Sequence, residues 1–339
     1  MIDERWREET ERLERSWTQH DPAMLGSYLV SGVEDPRINI QSILTRHYLI
    51  GALFGERYAA LRYEELRFAT ALNWLVKFLS KKPLTEDVAA LISALEAGAD
   101  RTEAVQIPTH LGKTFRALPT AADAMSIPNY IRELLAEYVT TGNDSDSVKD
   151  LFARTWSAVL ANERAATISV LEPACGSAND YRFLKSFGLA RFLDYTGSDL
   201  CETNIQNARA MFAGTRFVVG NVLQIDMDDD SFDFCFAHDL LEHLSLPAME
   251  QAISEMCRVT RHGLCLGFFQ MDEIPDSIVR PVRDYHINLL SMEKLRAMFE
   301  SMGATVEVIH IQTFLRMCLQ CADTHNPNAY TFYVWFDQR

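Results

Sequence analysis

Apolar and polar positions follow two different rhythms along this chain. Up to about residue 142 the apolar residues recur every three or four positions, the spacing of helices that bury one side. Trp6 to Trp17 is charged and amphipathic, a surface or dimer-arm helix. Asp35-Pro36 marks a turn. From Ile38 to Lys81 the helical pattern sets Ile40, Ile43, Leu44, His47, Tyr48 and Gly51 on one side, with a break near Gly55. Pro83 ends it. Thr85 is expected to cap the next helix, with Glu86 and Asp87 in its first turn, and that helix runs through Leu95 to Gly98. Ser126-Ile127-Pro128 opens another, carrying Ile131, Leu134, Leu135 and Tyr138. The run from Thr141 to Ser147 is polar and turn-rich and reads as a linker. It divides the chain into an all-helical unit, 1–146, and a second unit, 147–339, which begins with a helix from Val148 to Leu160.

Beyond that linker, short β-branched runs alternate with helical stretches, the signature of an α/β fold around a parallel sheet. Strands are expected near 167–172, 194–198, 216–219, 232–237, 263–269, 305–311 and 329–336, and helices near 179–188, 201–213, 248–260 and 291–302. The first strand ends at an acid, Glu172. A loop of small residues follows, Ala174-Cys175-Gly176-Ser177-Ala178, and then a helical pattern from Asn179. Small side chains let a ligand press against loop backbone, and ligands of such folds sit outside the carboxyl ends of the strands. The second strand also ends at an acid, Asp199, which can accept both hydroxyls of a ribose.

Four blocks, Val170 to Asp180, Gly197 to Leu200, Gly220-Asn221-Val222, and Phe232 to Leu244, come in an order that resembles the class I S-adenosylmethionine (SAM)-dependent methyltransferases over about residues 150–339. The resemblance implies a Rossmann-like sheet of seven strands in the order 3-2-1-4-5-7-6, helices on both faces and an antiparallel last strand, Tyr330 to Phe336. It also implies a cofactor site for SAM and its product S-adenosylhomocysteine (SAH). In that site the backbone of Ala174, Gly176 and Ser177 lines the methionine moiety and Glu172 faces its ammonium. Asp199 holds the ribose diol, Leu200 packs on the adenine, Asn221 accepts from the adenine amine, and Val222 belongs to the same cofactor site. The ends of the fourth strand, Ala237 and His238, offer a backbone carbonyl to the ammonium. Ala174 and Ala178 stand where the family commonly has glycine.

A second group follows that strand. Asp239, Glu242 and His243 have the i, i+3, i+4 spacing that shares a helix face. Members of the family that act on polyprenylated catechols or RNA 3′ ends bind a divalent metal with this pattern, and carry Glu at the position of Asp239. His286 would be a further ligand, and Mg²⁺, Mn²⁺ or Zn²⁺ the ion. The other reading makes these groups metal-free pocket or core residues. For catalysis, His238, His243 and His286 are the candidate general bases, with Asp239 beside them.

Composition narrows the partners. The formal charge of −15 and pI near 5.0 oppose a nucleic-acid surface, which needs clustered Lys and Arg. No apolar run is long enough to span a bilayer, no signal peptide opens the chain, and the seven cysteines lack framework spacing, so a reduced, cytoplasmic protein is expected. Cys318 and Cys321 form a lone CxxC without a second pair for zinc, and Asp226 to Asp230 reads as a solvated turn. These readings converge on methyl transfer to oxygen or nitrogen of a small-molecule acceptor. The helical first unit would serve as lid, acceptor wall or homodimer arm. The alternatives are a methyltransferase-like scaffold without catalysis and a nicotinamide-dependent oxidoreductase.

Overall fold

The computed structural model describes residues 4–16, 35, 37–115, 127–142, 157–158, 160–321 and 326–336. The linker residues 143–147 and most of the helix expected to follow them lie outside the described residues. The seven main strands are β1 (Ile168–Pro173), β2 (Leu193–Asp199), β3 (Arg216–Val219), β4 (Phe232–His238), β5 (Thr260–Phe268), β6 (Ala304–His310) and β7 (Tyr330–Phe336). They form one sheet of order β3-β2-β1-β4-β5-β7-β6. The pairs from β3 to β5 are parallel, and β7 runs antiparallel to both its neighbours.

Alternation along the strands sends successive side chains to opposite faces. Leu171, Cys235, Leu264, Leu266 and Phe332 face a core closed by two helices, Leu246–Val259 and Met292–Ser301. Ser245 caps the first through Ala248 N–H (3.4 Å) and Ser291 the second through Lys294 N–H (3.2 Å). Val170, Phe234, Phe236, Cys265 and Tyr333 face the other way, into a core shared with the N-terminal helices.

Those helices, numbered in chain order, are α1 (Glu4–Ser16), α2 (Ile40–Phe54), α3 (Ala59–Leu79), α4 (Thr85–Ala97), α5 (Thr109–Phe115) and α6 (Ile127–Thr141). A 3₁₀ turn over Gly55–Tyr58 makes the break expected near Gly55. Leu84, not Thr85, occupies the cap position of α4, and no side chain caps that helix. Thr85 is already helical, and the acids that follow it supply the favourable charge at this end. The α5 helix has no counterpart in the periodicity because seven residues hold too few turns to show one.

α2 lies directly on the sheet. Asn39 caps it by accepting from Gln41 N–H (2.9 Å) and Ser42 N–H (3.3 Å). Gln41 donates to Phe268 O (2.6 Å) and Tyr330 O (3.0 Å), Tyr48 to Val334 O (3.1 Å), and Tyr333 back to Leu44 O (2.7 Å). β5 permits this approach because it presents Gly263 and Gly267 to the helix. A Cβ on Gly263 would come within 2.5 Å of the Tyr48 hydroxyl, and one on Gly267 within 3.2 Å of Gln41. Behind α2 sits a buried ionic cluster. Glu65 in α3 pairs with Arg46 and accepts from His47 Nε2 (2.6 Å), and the Arg46 guanidinium covers the Phe187 ring at 3.9 Å. Burial would raise the Glu65 carboxyl, but Arg46 and His47 hold it below the ordinary carboxylate range.

Candidate functional site

The site is built at the carboxyl ends of β1, β2 and β4, where parallel strands leave a crevice. The loop after β1 is the feature that the small residues foretell. Ala174 (φ +57°), Gly176 (φ +53°) and Ala178 (φ +67°) all take the left-handed conformation. Two alanines thus accept a backbone that glycine adopts freely, at a cost of about 1–2 kcal/mol each. The turn lets the helix Asn179–Ser186 begin immediately beneath the loop. Asn179 Oδ1 is buried there without a hydrogen-bond partner among the described residues, an acceptor left for a donor.

Three carboxyls surround this loop. Asp199 is 1% exposed, and its Oδ2 accepts from Gly176 N–H (2.8 Å) while Oδ1 accepts from Cys201 N–H (2.8 Å). It therefore shapes the loop from below, and Oδ1 also accepts from Asn204 Nδ2 (3.4 Å). Glu172 is buried and accepts a short hydrogen bond from the Tyr195 hydroxyl. Burial, with Asp180 and Asp199 nearby, pushes the Glu172 carboxyl well above its usual range. A cation at the loop would relieve that crowding. Asp180 answers differently: burial opposes its charge, but His238 and Ser42 hold it below the ordinary range.

Ser177 is fully buried, with its hydroxyl turned to Asn204 (3.3 Å) and Asn207 (3.4 Å), so its backbone alone is left to line a ligand. Leu200, Val222 and Ala174 pack together with Trp6 of α1 against one apolar cluster that contains Ala237 and Leu13. Asn221 Oδ1 accepts from Leu223 N–H (2.9 Å), and its Nδ2 donates to Thr10 Oγ1 (2.8 Å). α1 runs on across the strand ends: Glu9 accepts from Ser245 N–H (3.2 Å), and Arg12 donates to Asp284 O (2.5 Å).

The three candidate bases have three different fates. His238 is held at both nitrogens, Nδ1 by Asp180 (3.3 Å) and Nε2 by Thr45 of α2 (2.6 Å). His243 is also held at both, Nδ1 by His286 O (2.9 Å) and Nε2 by Asp239 (3.0 Å). Burial would lower the His243 pKa, but the Asp239 carboxylate raises it to about 9, so the ring is a cation at neutral pH. His286 is pushed the other way, lowered by burial and by Arg12. Arg12 can only donate, so His286 Nδ1, 3.4 Å from it, is the accepting nitrogen of a neutral ring.

The shared face expected for Asp239, Glu242 and His243 does not form. Glu242 and His243 sit on a 3₁₀ turn over Leu241–His243, and Asp239 precedes it with φ +50°, so no α-helix carries the three. Asp239 and His243 pair with each other, whereas Glu242 is fully buried and accepts from Phe269 N–H (2.8 Å). Burial, with Asp239 adding to it, pushes the Glu242 carboxyl up to about 7. Among the described residues no group of three or more His, Cys, Asp or Glu side chains is placed to hold a metal ion. Glu242 gives one oxygen to Phe269 N–H, its buried Oε2 has no hydrogen-bond partner among the described residues, and His286 faces the Arg12 guanidinium.

Sequence reasoning missed Tyr195, Thr45 and Arg12. The parallel register sets Tyr195 opposite Val170, two residues before Glu172 on the same strand.

Comparison with known proteins adds to this geometry. A family model described as a methyltransferase domain matches residues 171–266. No curated protein matches. Among solved structures, a SAM-dependent methyltransferase from Methanosarcina mazei is similar at 15% identity and TM-score 0.41, over 53% of this chain and 98% of that one. The 1,6-didemethyltoxoflavin-N1-methyltransferase of Burkholderia thailandensis, solved with 1,6-didemethyltoxoflavin and SAH, is similar at 15% identity and TM-score 0.40, over 66% and 93%. A SAM-dependent methyltransferase from Aquifex aeolicus is similar at 16% identity and TM-score 0.37, over 62% and 98%. The chain thus carries a seven-stranded mixed sheet flanked by helices, within which residues 171–266 match a methyltransferase domain.

Proposed function

We propose that this chain binds SAM and transfers its methyl group to oxygen or nitrogen of a small-molecule acceptor by in-line displacement. The observation that carries the reading is the loop of residues 174–178, held in a left-handed path between Glu172 and Asp199. Bound SAM would supply the electrophilic methyl group. The chain's own residues do the positioning and exclude water. Asp199 holds the ribose diol. The Asn179 carboxamide and the Ala237 carbonyl take the ammonium, with Glu172 behind them. Leu200 and Val222 flank the adenine, with Asn221 at its edge.

For the proton of a hydroxyl acceptor, His286 is the base we favour, because its ring is neutral and its contact with Arg12 is long enough to be displaced. His243 acts as a fixed cation beside Asp239, and His238 as a wall of the cleft. α1, across the strand ends, covers the cleft on the acceptor side, and Thr45 of α2 reaches its wall. A cytoplasmic setting fits this reading. No helix among the described residues is long and apolar enough to cross a membrane.

Calorimetry with SAH tests it. Wild type should bind, and Asp199→Ala should lose about 1.5–3 kcal/mol, because a buried diol loses a charged acceptor. Absence of SAH binding, or equal binding by the variant, would sink the proposal. One observation favours a second reading, a SAM-binding scaffold without turnover: both nitrogens of His238 and of His243 are already engaged. SAH release from SAM in the presence of an acceptor library separates the two.

A further inference from the structure

Thr10 of α1 and Asn221, 211 positions apart, share a hydrogen bond at the edge of the candidate site. Asn221 stands two residues beyond the end of β3. The parallel register sets Val219, the last residue of β3, opposite Asp199, and Gly220 N–H donates to Asp199 O (3.0 Å). Asn221 thus sits one strand over from the acid assigned to the ribose, within reach of the attached base.

The carboxamide of Asn221 is held at both ends. Leu223 N–H donates to Oδ1 (2.9 Å), which identifies the oxygen, and Nδ2 donates to Thr10 Oγ1 (2.8 Å). A carboxamide accepts up to two bonds at oxygen and donates two at nitrogen, so one of each is left for a ligand. Thr10 itself is 3% exposed. Trp6, one turn earlier, and Leu13, one turn later, seat the same face of α1 on the apolar cluster that Leu200 and Val222 join. The rest of α1 is charged, so this short face fixes where the hydroxyl stands.

An aspartate at position 221 would only accept. An asparagine whose oxygen and nitrogen are assigned presents an acceptor beside a donor. Adenine presents the complement, an amine that donates beside a ring nitrogen that accepts, and asparagine pairs with it through both. Hypoxanthine carries a carbonyl oxygen in place of the amine, and that oxygen would face Asn221 Oδ1. Turning the carboxamide over to suit it would set Nδ2 against Leu223 N–H and take it away from Thr10.

We infer that Asn221, oriented by Thr10 of α1, reads the adenine of the cofactor through two hydrogen bonds, so that α1 sets the base specificity of the site. Thr10 is a positioning residue that acts through Asn221. The inference rests on the proposed SAM site and deepens it.

Calorimetry of the full chain with SAH and with its 6-oxo counterpart, S-inosylhomocysteine, tests this. Wild type should favour SAH by about tenfold or more, the scale of a bidentate pair against the wrong base. Thr10→Val, close in volume but without a hydroxyl, should lower that ratio by about threefold or more, since a hydrogen bond that orients the carboxamide is lost. Thr10→Ser, which restores the acceptor, should recover the wild-type ratio. A role in packing alone would weaken both ligands together and leave the ratio unmoved. That result, or a wild-type ratio near one, would overturn the inference and leave SAM binding standing. Failure of wild type to bind SAH would remove the cofactor reading and this inference with it.

Discussion

Thr45 Oγ1 lies 2.6 Å from His238 Nε2, joining the first long helix of the chain to the end of the fourth strand across 193 positions. With Asp180 on the other nitrogen, this contact fixes the ring at the strand end and gives α2 a share in the candidate site. Thr45→Val should cost about 1–3 kcal/mol in urea unfolding, because it leaves a buried nitrogen without a partner. An unchanged midpoint would mean that the ring finds another donor and that α2 does not position it.

Glu65 carries a larger share of stability, since it neutralises Arg46 in a cluster where both side chains are almost fully buried. Glu65→Gln should destabilise by about 3–5 kcal/mol, the scale for leaving a buried charge uncompensated. The sign with pH follows from the lowered pKa of the folded state. Glu65 contributes fully above its unfolded value near 4.5, and the contribution is lost as pH falls through the lower folded value. Acid unfolding of wild type should therefore be steeper in this range than that of the variant. Parallel curves would disprove the assignment.

Ala174 pays for a left-handed backbone that glycine adopts without penalty. Ala174→Gly should stabilise by about 1 kcal/mol, the relief of strain less the added entropy of the unfolded chain. A fall in the melting temperature would show that the loop does not hold this path in solution.

His243 owes its charge to Asp239, 3.0 Å away. In Asp239→Asn its titration midpoint should drop from about 9 toward the ordinary 6.5. Because the folded value is raised, the pair stabilises fully below about 6.5 and the stabilisation fades as pH rises through about 9. Proton NMR of the imidazole resonances in both proteins checks this, and an unmoved midpoint would assign the shift to other neighbours.

Much of the catalytic-face geometry was legible because it is local. A β-branched run that ends in an acid and passes into small residues and then a helix describes β1 and its loop without reference to any distant residue. The expected strands coincide with those observed to within three residues at every end. The helix Ile311–Leu319, which carries Cys318, was not read, because its apolar positions follow a strand directly and no turn separates the two periods. Asp239, Glu242 and His243 show the limit of spacing arguments: i, i+3, i+4 places residues on one face only if the segment is an α-helix, and here Glu242 and His243 sit on a 3₁₀ turn that Asp239 precedes.

By itself, then, the amino-acid sequence determined the βα alternation, the acids at two strand ends and the loop of small residues after the first of them, since backbone preference and side-chain period act over a few residues. Only the tertiary structure decided which surface α2 covers. Tyr48, Gln41 and Thr45 read in sequence as positions on a helix, and their partners Val334, Phe268 and His238 lie about two hundred to three hundred residues away. The same holds for the histidines. Whether a ring is a base, a cation or a clamped wall depends on the carboxylates, hydroxyls and guanidinium that packing brings to its two nitrogens, and no spacing along the chain encodes that.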